Sequence, residues 1–343
     1  MAIVENVYRE PELTAPVNQC LPGGRLNPAG IGWSRNPVHC CNLPESLVRK
    51  KKWNYWAVTT EHLLFSATIA NMERAATAGA YFFHRPTQRY VSIGGRGPAG
   101  QMPMPEGIMG DLLFDQPQLR VELADDGPGT RILVDCDDFG GAHLHADIRV
   151  QRPTGHETLN VLIPWSDTEF QFTSKQNTLP ATGAITWGDE RFELGTPAFG
   201  CLDFGRGVWP EHTIWNWGSA SGIQDGHTIG FNLGGQWTDG TGMNENGLCI
   251  DGRLSKIHED LRIDYDRAAP MRNWQVRTAA TGRVDLTFVP EYDRHEQTGR
   301  REKYFTEVHQ LFGRYSGAIT PDDGIPITIR DLFGWIEDHE ARW

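Results

Sequence analysis

Two stretches of this chain fall into one register: TGAITWGDERFELGTPAFGCLDFGRGVW, from Thr182 to Trp209, lies over SGAITPDDGIPITIRDLFGWIEDHEARW, from Ser316 to Trp343. Gly183 then meets Gly317, Phe199-Gly200 meets Phe333-Gly334, Asp203 meets Glu337 and Trp209 meets Trp343. Upstream, His145 to Val150 resembles His258 to Ile263, and Val161 to Pro164 resembles Thr287 to Pro290. The offsets grow along the chain, 113 (258 − 145), 126 (287 − 161) and 134 (316 − 182), as loop insertions in a second copy would make them. Matches in order with a shared ending predict a duplicated fold. A length of 343 residues agrees with two domains.

The periodicity is that of strands. Tyr55 to Thr60, His143 to Val150, Thr228 to Leu233 and Val284 to Phe288 alternate apolar and polar residues and are bounded by Gly, Pro, Asn or Asp. Val121 to Val134 reads as a hairpin around Asp-Asp-Gly-Pro-Gly, and Thr186 to Leu194 as another around Gly188-Asp189. Helical turns are expected only over Glu45 to Lys52 and Met72 to Ala78. Many short strands with few helices mean an all-β protein built from sandwiches or barrels. Residues 90–110, rich in Gly, Pro and Met, read as a long loop, either a lid or a surface insertion.

Composition narrows the functions. A formal charge of −12 argues against nucleic acid, because tracking phosphates needs many basic contacts and the one cationic run is Arg49 to Lys52. That run reads as a solvated strand edge, or else as an anchor for an acidic head group. The first residues show no secretory signal and no segment has the length of a membrane helix, so a cytoplasmic protein is expected. The six cysteines show no CxxC spacing and read as free thiols.

The segment Leu179 to Gly222 resembles the junction of the carotenoid hydratase and hydroxyneurosporene synthase-like proteins, in which a Gly-rich hairpin leads to a Gly-x-x-x-Asp element and a Trp-x-Trp strand. Trp53-Asn-Tyr-Trp56, Trp215 to Gly222 and the tail Gly334 to Trp343 are similar to a bacterial family, the domain of unknown function numbered 2804, from about Cys41 onward. The resemblance implies two consecutive lipocalin-like barrels. It also implies a group that includes cofactor-independent hydratases and cyclases of apolar substrates as well as lipid-handling proteins. The hydratase-like proteins tend to carry Asp-His-Glu after the hairpin, whereas Asp203 is followed here by Phe204 and Gly205, so only Asp203 carries over. His212 is the candidate for the missing imidazole.

The candidate residues follow from that chemistry. Hydrating or cyclising an alkene means protonating carbon, which needs an acid kept neutral by an apolar site. Asp203 is the first choice for this acid and Glu337 the second; both also fit a structural role closing the last strands. On a strand, Trp215, Trp217 and Ser219 share one face and His212 and Asn216 the other. The first face is an aromatic wall able to stabilise a carbocation or simply to pack. The second is a polar register able to move a proton. Asn71, Glu73 and Arg74 follow the strand Leu64 to Ala70 and would form an anion or carbonyl clamp if their loop covers a barrel mouth. His143, His145 and Asp147 share a strand face at ligand-like spacing, which also suits a polar barrel exterior. Neither a phosphate loop, nor a dinucleotide fingerprint, nor a nucleophile elbow is present in the sequence.

The expectation is therefore an all-β chain of two lipocalin-like barrels, residues 1–205 and 206–343, enclosing a cavity for one apolar molecule. The function expected is a cofactor-independent lyase or isomerase, a hydratase, dehydratase or cyclase of an isoprenoid- or polyketide-like substrate. Asp203, His212 and Glu337 would be catalytic, and Trp215, Asn216, Trp217, Ser219, Asn71, Glu73 and Arg74 would bind substrate. A lipid or hydrophobic-metabolite carrier is the alternative, and a metal-dependent hydrolase at His143 and His145 the next. No metal or other cofactor is expected in the leading reading, no nucleic-acid partner, and a monomer or homodimer.

Overall fold

The structure is a computed structural model that describes residues 9–73, 75–98 and 102–343. Three two-residue strands come first: β1 (Val17–Asn18), β2 (Trp33–Ser34) and β3 (His39–Cys40). The first large sheet is then laid down by β4 (Lys50–Thr59), β5 (Leu63–Asn71), β6 (Ala76–His84), β7 (Arg89–Gly97), β8 (Leu112–Gln116) and β9 (Leu119–Asp125). It continues through β10 (Gly129–Cys136), β11 (Leu144–Gln151), β12 (Leu159–Pro164), β13 (Phe170–Trp187), β14 (Glu190–Glu193) and β15 (Phe199–Val208). The second sheet begins with β16 (His212–Gln224), β17 (His227–Gly235), β18 (Gly247–Ile250), β19 (Arg253–Lys256) and β20 (Leu261–Asp264). It ends with β21 (Trp274–Thr278), β22 (Val284–Gly299), β23 (Phe305–Ile319) and β24 (Ile327–Arg342).

Both sheets are wound the same way. The first runs β7-β6-β5-β4-β15-β13-β11-β10-β9-β8 and the second β19-β18-β17-β16-β24-β23-β22-β21-β20. Each is a meander whose first long strand pairs with its last, and the two sheets are barrel-like, one nearly closed and one a half-barrel. The fold is thus the all-β, lipocalin-like one. Gly183 and Gly317 take φ of +131° and +141°, and a Cβ on either would sit 2.2 and 2.1 Å from the carbonyl oxygens of Asp147 and Asp285. Only glycine tolerates that approach. The anchor His145 to Val150 lies on β11, whereas His258 to Ile263 leads into β20 at the sheet's far edge, so those two segments do not correspond in the winding order.

Each sheet has its own core. In β11, Leu144, Ala146, Ile148 and Val150 point inward while His145, Asp147 and Arg149 point out, as alternation requires. Trp56, Phe82, Phe170 and Phe204 fill the first core, and Phe231, Trp274, Phe288 and Tyr315 the second. A third cluster, Leu64, Phe83, Trp217, Phe312, Phe333 and Trp335, joins the outer faces of the two sheets. At roughly 1.5–3 kcal/mol per buried large apolar side chain, that contact alone holds the sheets firmly together.

Several local readings change. No α-helix forms among the described residues: Lys50–Lys52 are already in β4, and Met72, Glu73 and Ala75 lie in no helix between β5 and β6. The stretch 90–110 opens as strand β7, and Met102 and Met104 are buried in the first core. The run Arg49 to Lys52 is not a sheet edge either, since β4 lies between β5 and β15 and Lys50 and Lys51 are buried. Lys50 donates to the carbonyls of Pro44 and Glu45, a snorkelled arrangement that alternation cannot foresee.

Candidate functional site

The register fixes the site. Asp203 on β15 stands between Lys175 on β13 and Tyr55 on β4, and Glu337 on β24 stands between Gln310 on β23 and Trp217 on β16. All six side chains leave their sheets on the face turned away from that sheet's own core, because their neighbours Phe172, Leu202, Trp56, Leu311 and Ile336 point into the cores. The outer faces enclose a cavity of about 580 Å³, in the size range of small-molecule sites. One wall, from β5 to β7, is built of small groups, including Ala70, Ala78, Gly79 and Gly94. The opposite rim is indole, with Trp53, Trp209, Trp215, Trp237 and Trp343.

The acids that face this cavity sit in unlike company. Lys175 Nζ lies 2.9 Å from Asp203 Oδ1 and 3.2 Å from Glu245 Oε2, and sits 4.3 Å above the Trp217 ring. Burial pushes this ammonium down, yet Asp203 and Glu245 outweigh burial and hold it above its ordinary value. Glu245 also accepts from Trp237 Nε1 at 3.0 Å, and burial, opposed by Lys175, lifts its carboxyl to about 7. Glu337 has a neutral neighbour instead: Gln310 Nε2 donates to its Oε1 at 2.7 Å. Burial raises Glu337 to about 7 against the pull of Arg294 and Lys175, with the nearby Asp203 charge adding to the rise.

A hydrogen-bond ring orients Gln310. Its Oε1 accepts from Tyr81 Oη at 2.8 Å and from Arg294 at 3.2 Å, and its Nε2 points to Glu337 and, at 3.4 Å, to Tyr55 Oη. A guanidinium cannot accept, so the amide cannot turn round. Tyr55 then donates to Tyr81 at 2.6 Å, since the Tyr81 proton is already committed. Arg294 is held by Tyr90 at 2.9 Å and Glu296 at 2.7 Å and lies over the Tyr81 ring. His339 stacks on Trp215 at 3.8 Å, and burial with the Arg294 charge pushes it down to about 3, so it faces the cavity as a neutral ring.

Of the sequence-predicted residues, Asp203, Glu337, Trp215 and Trp217 line the cavity. His212 does not: it is exposed and pairs with Glu340 at 3.0 Å, because it shares the β16 face that turns toward the second core. Asn216 is on that same face, donating to the Glu337 carbonyl and to Tyr265. Ser219 is buried and donates to the Phe231 carbonyl at 3.0 Å. Asn71 donates to the Met102 carbonyl and accepts from the Glu73 amide, while Glu73 accepts from the Arg49 amide; both brace the β5–β6 turn and neither lines the cavity, although Met72 between them does. Arg74 lies outside the described residues.

His143 and His145 are exposed and both bond Asp135, and Asp147 is taken by Arg131 at 2.6 Å, so the three do not converge on one point. Lys175, Glu245, Gln310, Arg294, Tyr55, Tyr81 and His339 were not singled out from sequence. Two of them become visible only with the register: the sheet neighbours of Asp203 and Glu337 are Lys175 and Gln310.

The fold and cavity define an all-β protein of two barrel-like sheets with an acid-lined, aromatic cavity between them. The chain belongs to the family described as Domain of unknown function (DUF2804), whose model matches residues 10–343. No curated protein matches its sequence. Among solved structures it is similar to kievitone hydratase from Nectria haematococca, at 12% identity over 85% of this chain and 88% of that one, with a TM-score of 0.53. It is also similar to an AttH-like protein from Nitrosomonas europaea, at 12% identity over 95% and 98%, with a TM-score of 0.50. CghA, solved with Sch210972, is 13% identical over 85% and 88%, at a TM-score of 0.49. At these identities the likeness is one of fold. No helix among the described residues is long and apolar enough to cross a membrane.

Proposed function

We propose that this protein is a cofactor-independent lyase or isomerase of the hydratase and cyclase type, acting on an apolar small molecule held between the two sheets. The observation that carries the reading is the contrast between Glu337, raised to about 7 beside neutral Gln310, and Asp203, paired with Lys175. A carboxyl beside a neutral amide and a carboxylate beside an ammonium give one pocket a proton donor and a proton acceptor. The assignment therefore differs from the sequence expectation: Glu337 is the proton donor, Asp203 the base, and His212 plays no part. In a hydration, the Glu337 carboxyl protonates one alkene carbon. Water then adds to the other carbon and yields its proton to Asp203, which releases it to solvent, and solvent returns a proton to Glu337. Trp215 and Trp217 line the pocket around the developing cation. Dehydration is the same path reversed, and a cyclisation begins with the same protonation and ends when Asp203 removes a proton from the ring-closed cation.

The substrate is sought first as a molecule that copurifies: organic extraction and mass spectrometry of fresh protein, then incubation of the extract with protein in D₂O. Deuterium appearing on carbon with wild type and not with Glu337→Gln supports the reading. Equal labelling by both ends it. The largely apolar and aromatic lining also suits a carrier, in which case Trp217→Ala shortens ligand retention, Asp203→Asn does not, and no label enters.

A further inference from the structure

The opposite face of the β22–β23 hairpin carries a cluster that neither the cavity nor the proposed chemistry uses. His295 and His309 stand directly across from each other in the register, with rings parallel to 4° and centroids 4.0 Å apart. Glu307, two residues before His309 and therefore on the same face, has Oε1 3.2 Å from His295 Nε2. One ligand atom from each of the three lies within 4.8 Å of the others. The site opens past the end of the second core, since Leu311 and Ile336 of that core share its face.

We propose that His295, Glu307 and His309 bind one divalent ion of the zinc, cobalt or nickel type. Two imidazoles and one carboxylate are a borderline donor set, which selects late first-row ions over magnesium or calcium. The shell behind the ligands has the form such sites need. Asp293 Oδ2 lies 2.9 Å from His309 Nδ1; a carboxylate only accepts, so Nδ1 carries the proton and the Nε2 lone pair is left for an ion. Arg301 holds the other oxygen of Glu307 at 2.7 Å and leaves Oε1 for the metal. The local charge favours a cation: in register beside the cluster, Asp338 lies opposite His309 and Glu340 opposite Glu307, so four carboxylates with Asp293 and Glu307 face the two guanidinium groups of Arg267 and Arg301. Ligand atoms round a tetrahedral ion stand roughly 3.3 Å apart for bonds of about 2.0–2.1 Å. His295, the most exposed of the three, closes the remaining gap by turning its ring. Three protein ligands leave one position open to water.

The other trio of metal-ligating groups among the described residues, Asp135, Asp137 and His143, serves as the internal control: it offers a single imidazole in the trio and sits on a more exposed hairpin. The test uses the full-length chain without a histidine tag, stripped with chelator, titrated with Zn²⁺ by calorimetry and with Co²⁺ by visible absorption. One ion per chain, with Co²⁺ bands typical of a low-coordinate nitrogen and oxygen site, is expected. His295→Ala and His309→Ala should each weaken binding more than about 100-fold and Asp293→Asn about 10- to 100-fold, while His143→Ala leaves it unchanged. Circular dichroism of each variant secures the fold, and the exposed position of His295 makes its replacement the safest. Absence of stoichiometric binding in the wild type, or binding that survives His295→Ala or follows His143, overturns the assignment.

Discussion

Gln310 donates to Glu337 at 2.7 Å from the register position that Lys175 occupies beside Asp203 in the other sheet. One side-chain difference at matching places thus decides which carboxyl keeps a cation and which does not. Arg294, the cation that does approach Gln310, reaches its carbonyl oxygen rather than Glu337.

Stability should report the state of Glu337. Its folded value of about 7 lies above the ordinary 4.5, so between those pH values the native state keeps a proton that the unfolded chain has lost. Stability must then fall as pH rises through this window, by up to about 3 kcal/mol for one such group. Glu337→Gln removes the effect. Urea unfolding at pH 5 and pH 8 should show the variant gaining on the wild type toward pH 8, and a pH-independent difference would count against the raised value.

Removing the cation of the other pair should be costly in the opposite sense. Lys175→Met leaves Asp203 and Glu245 buried side by side without their ammonium. Breaking a buried pair costs about 3–5 kcal/mol. The loss should be large at pH 8 and smaller at pH 5, where protonation relieves the uncompensated acids. Denaturation midpoints at the two pH values measure it.

The small-residue wall offers a way to close the cavity without harming the fold. Gly94 lines it, its φ lies outside the left-handed region, and an added Cβ meets nothing nearer than 4.0 Å. Gly94→Phe should leave the melting temperature within a few degrees and abolish binding of an apolar fluorescent probe. Binding at wild-type strength would place the ligand elsewhere.

Gly183 and Gly317 should respond alike. Gly183→Ala and Gly317→Ala each drive a Cβ against a backbone carbonyl at a φ that L side chains rarely adopt. Each should cost roughly 2–4 kcal/mol, read from urea unfolding. A neutral result at either position would mean the strand there can relax.

The acids and the indole wall were legible in the sequence because a repeat and a period of two are enough to find them. Asp203 and Glu337 came from the overlay, and Trp215 and Trp217 from alternation. Their faces were separated correctly from that of His212 and Asn216, but alternation does not say which face meets the cavity. Lys175 was hidden because its link to Asp203 is a pairing across strands with a register shift after Gln176. Glu245 comes from the connection between β17 and β18, where no period applies. Arg294 and His295 were hidden for a sharper reason. Counting by twos from Val284 assigns Arg294 to the core, but the shift between Pro290 and Tyr292 turns the strand over, so Arg294 faces the cavity and His295 the other side.

Because the cavity lies between the outer faces of two sheets, neither barrel has to be hollow to hold a ligand. In a barrel that binds within its lumen, every change of specificity also edits the hydrophobic core. Here Trp56 and Tyr55, adjacent on one strand, answer to different demands: the first fills a core, the second lines the cavity. A chain so arranged can be retailored for a new small molecule one wall residue at a time while both cores go on folding as before.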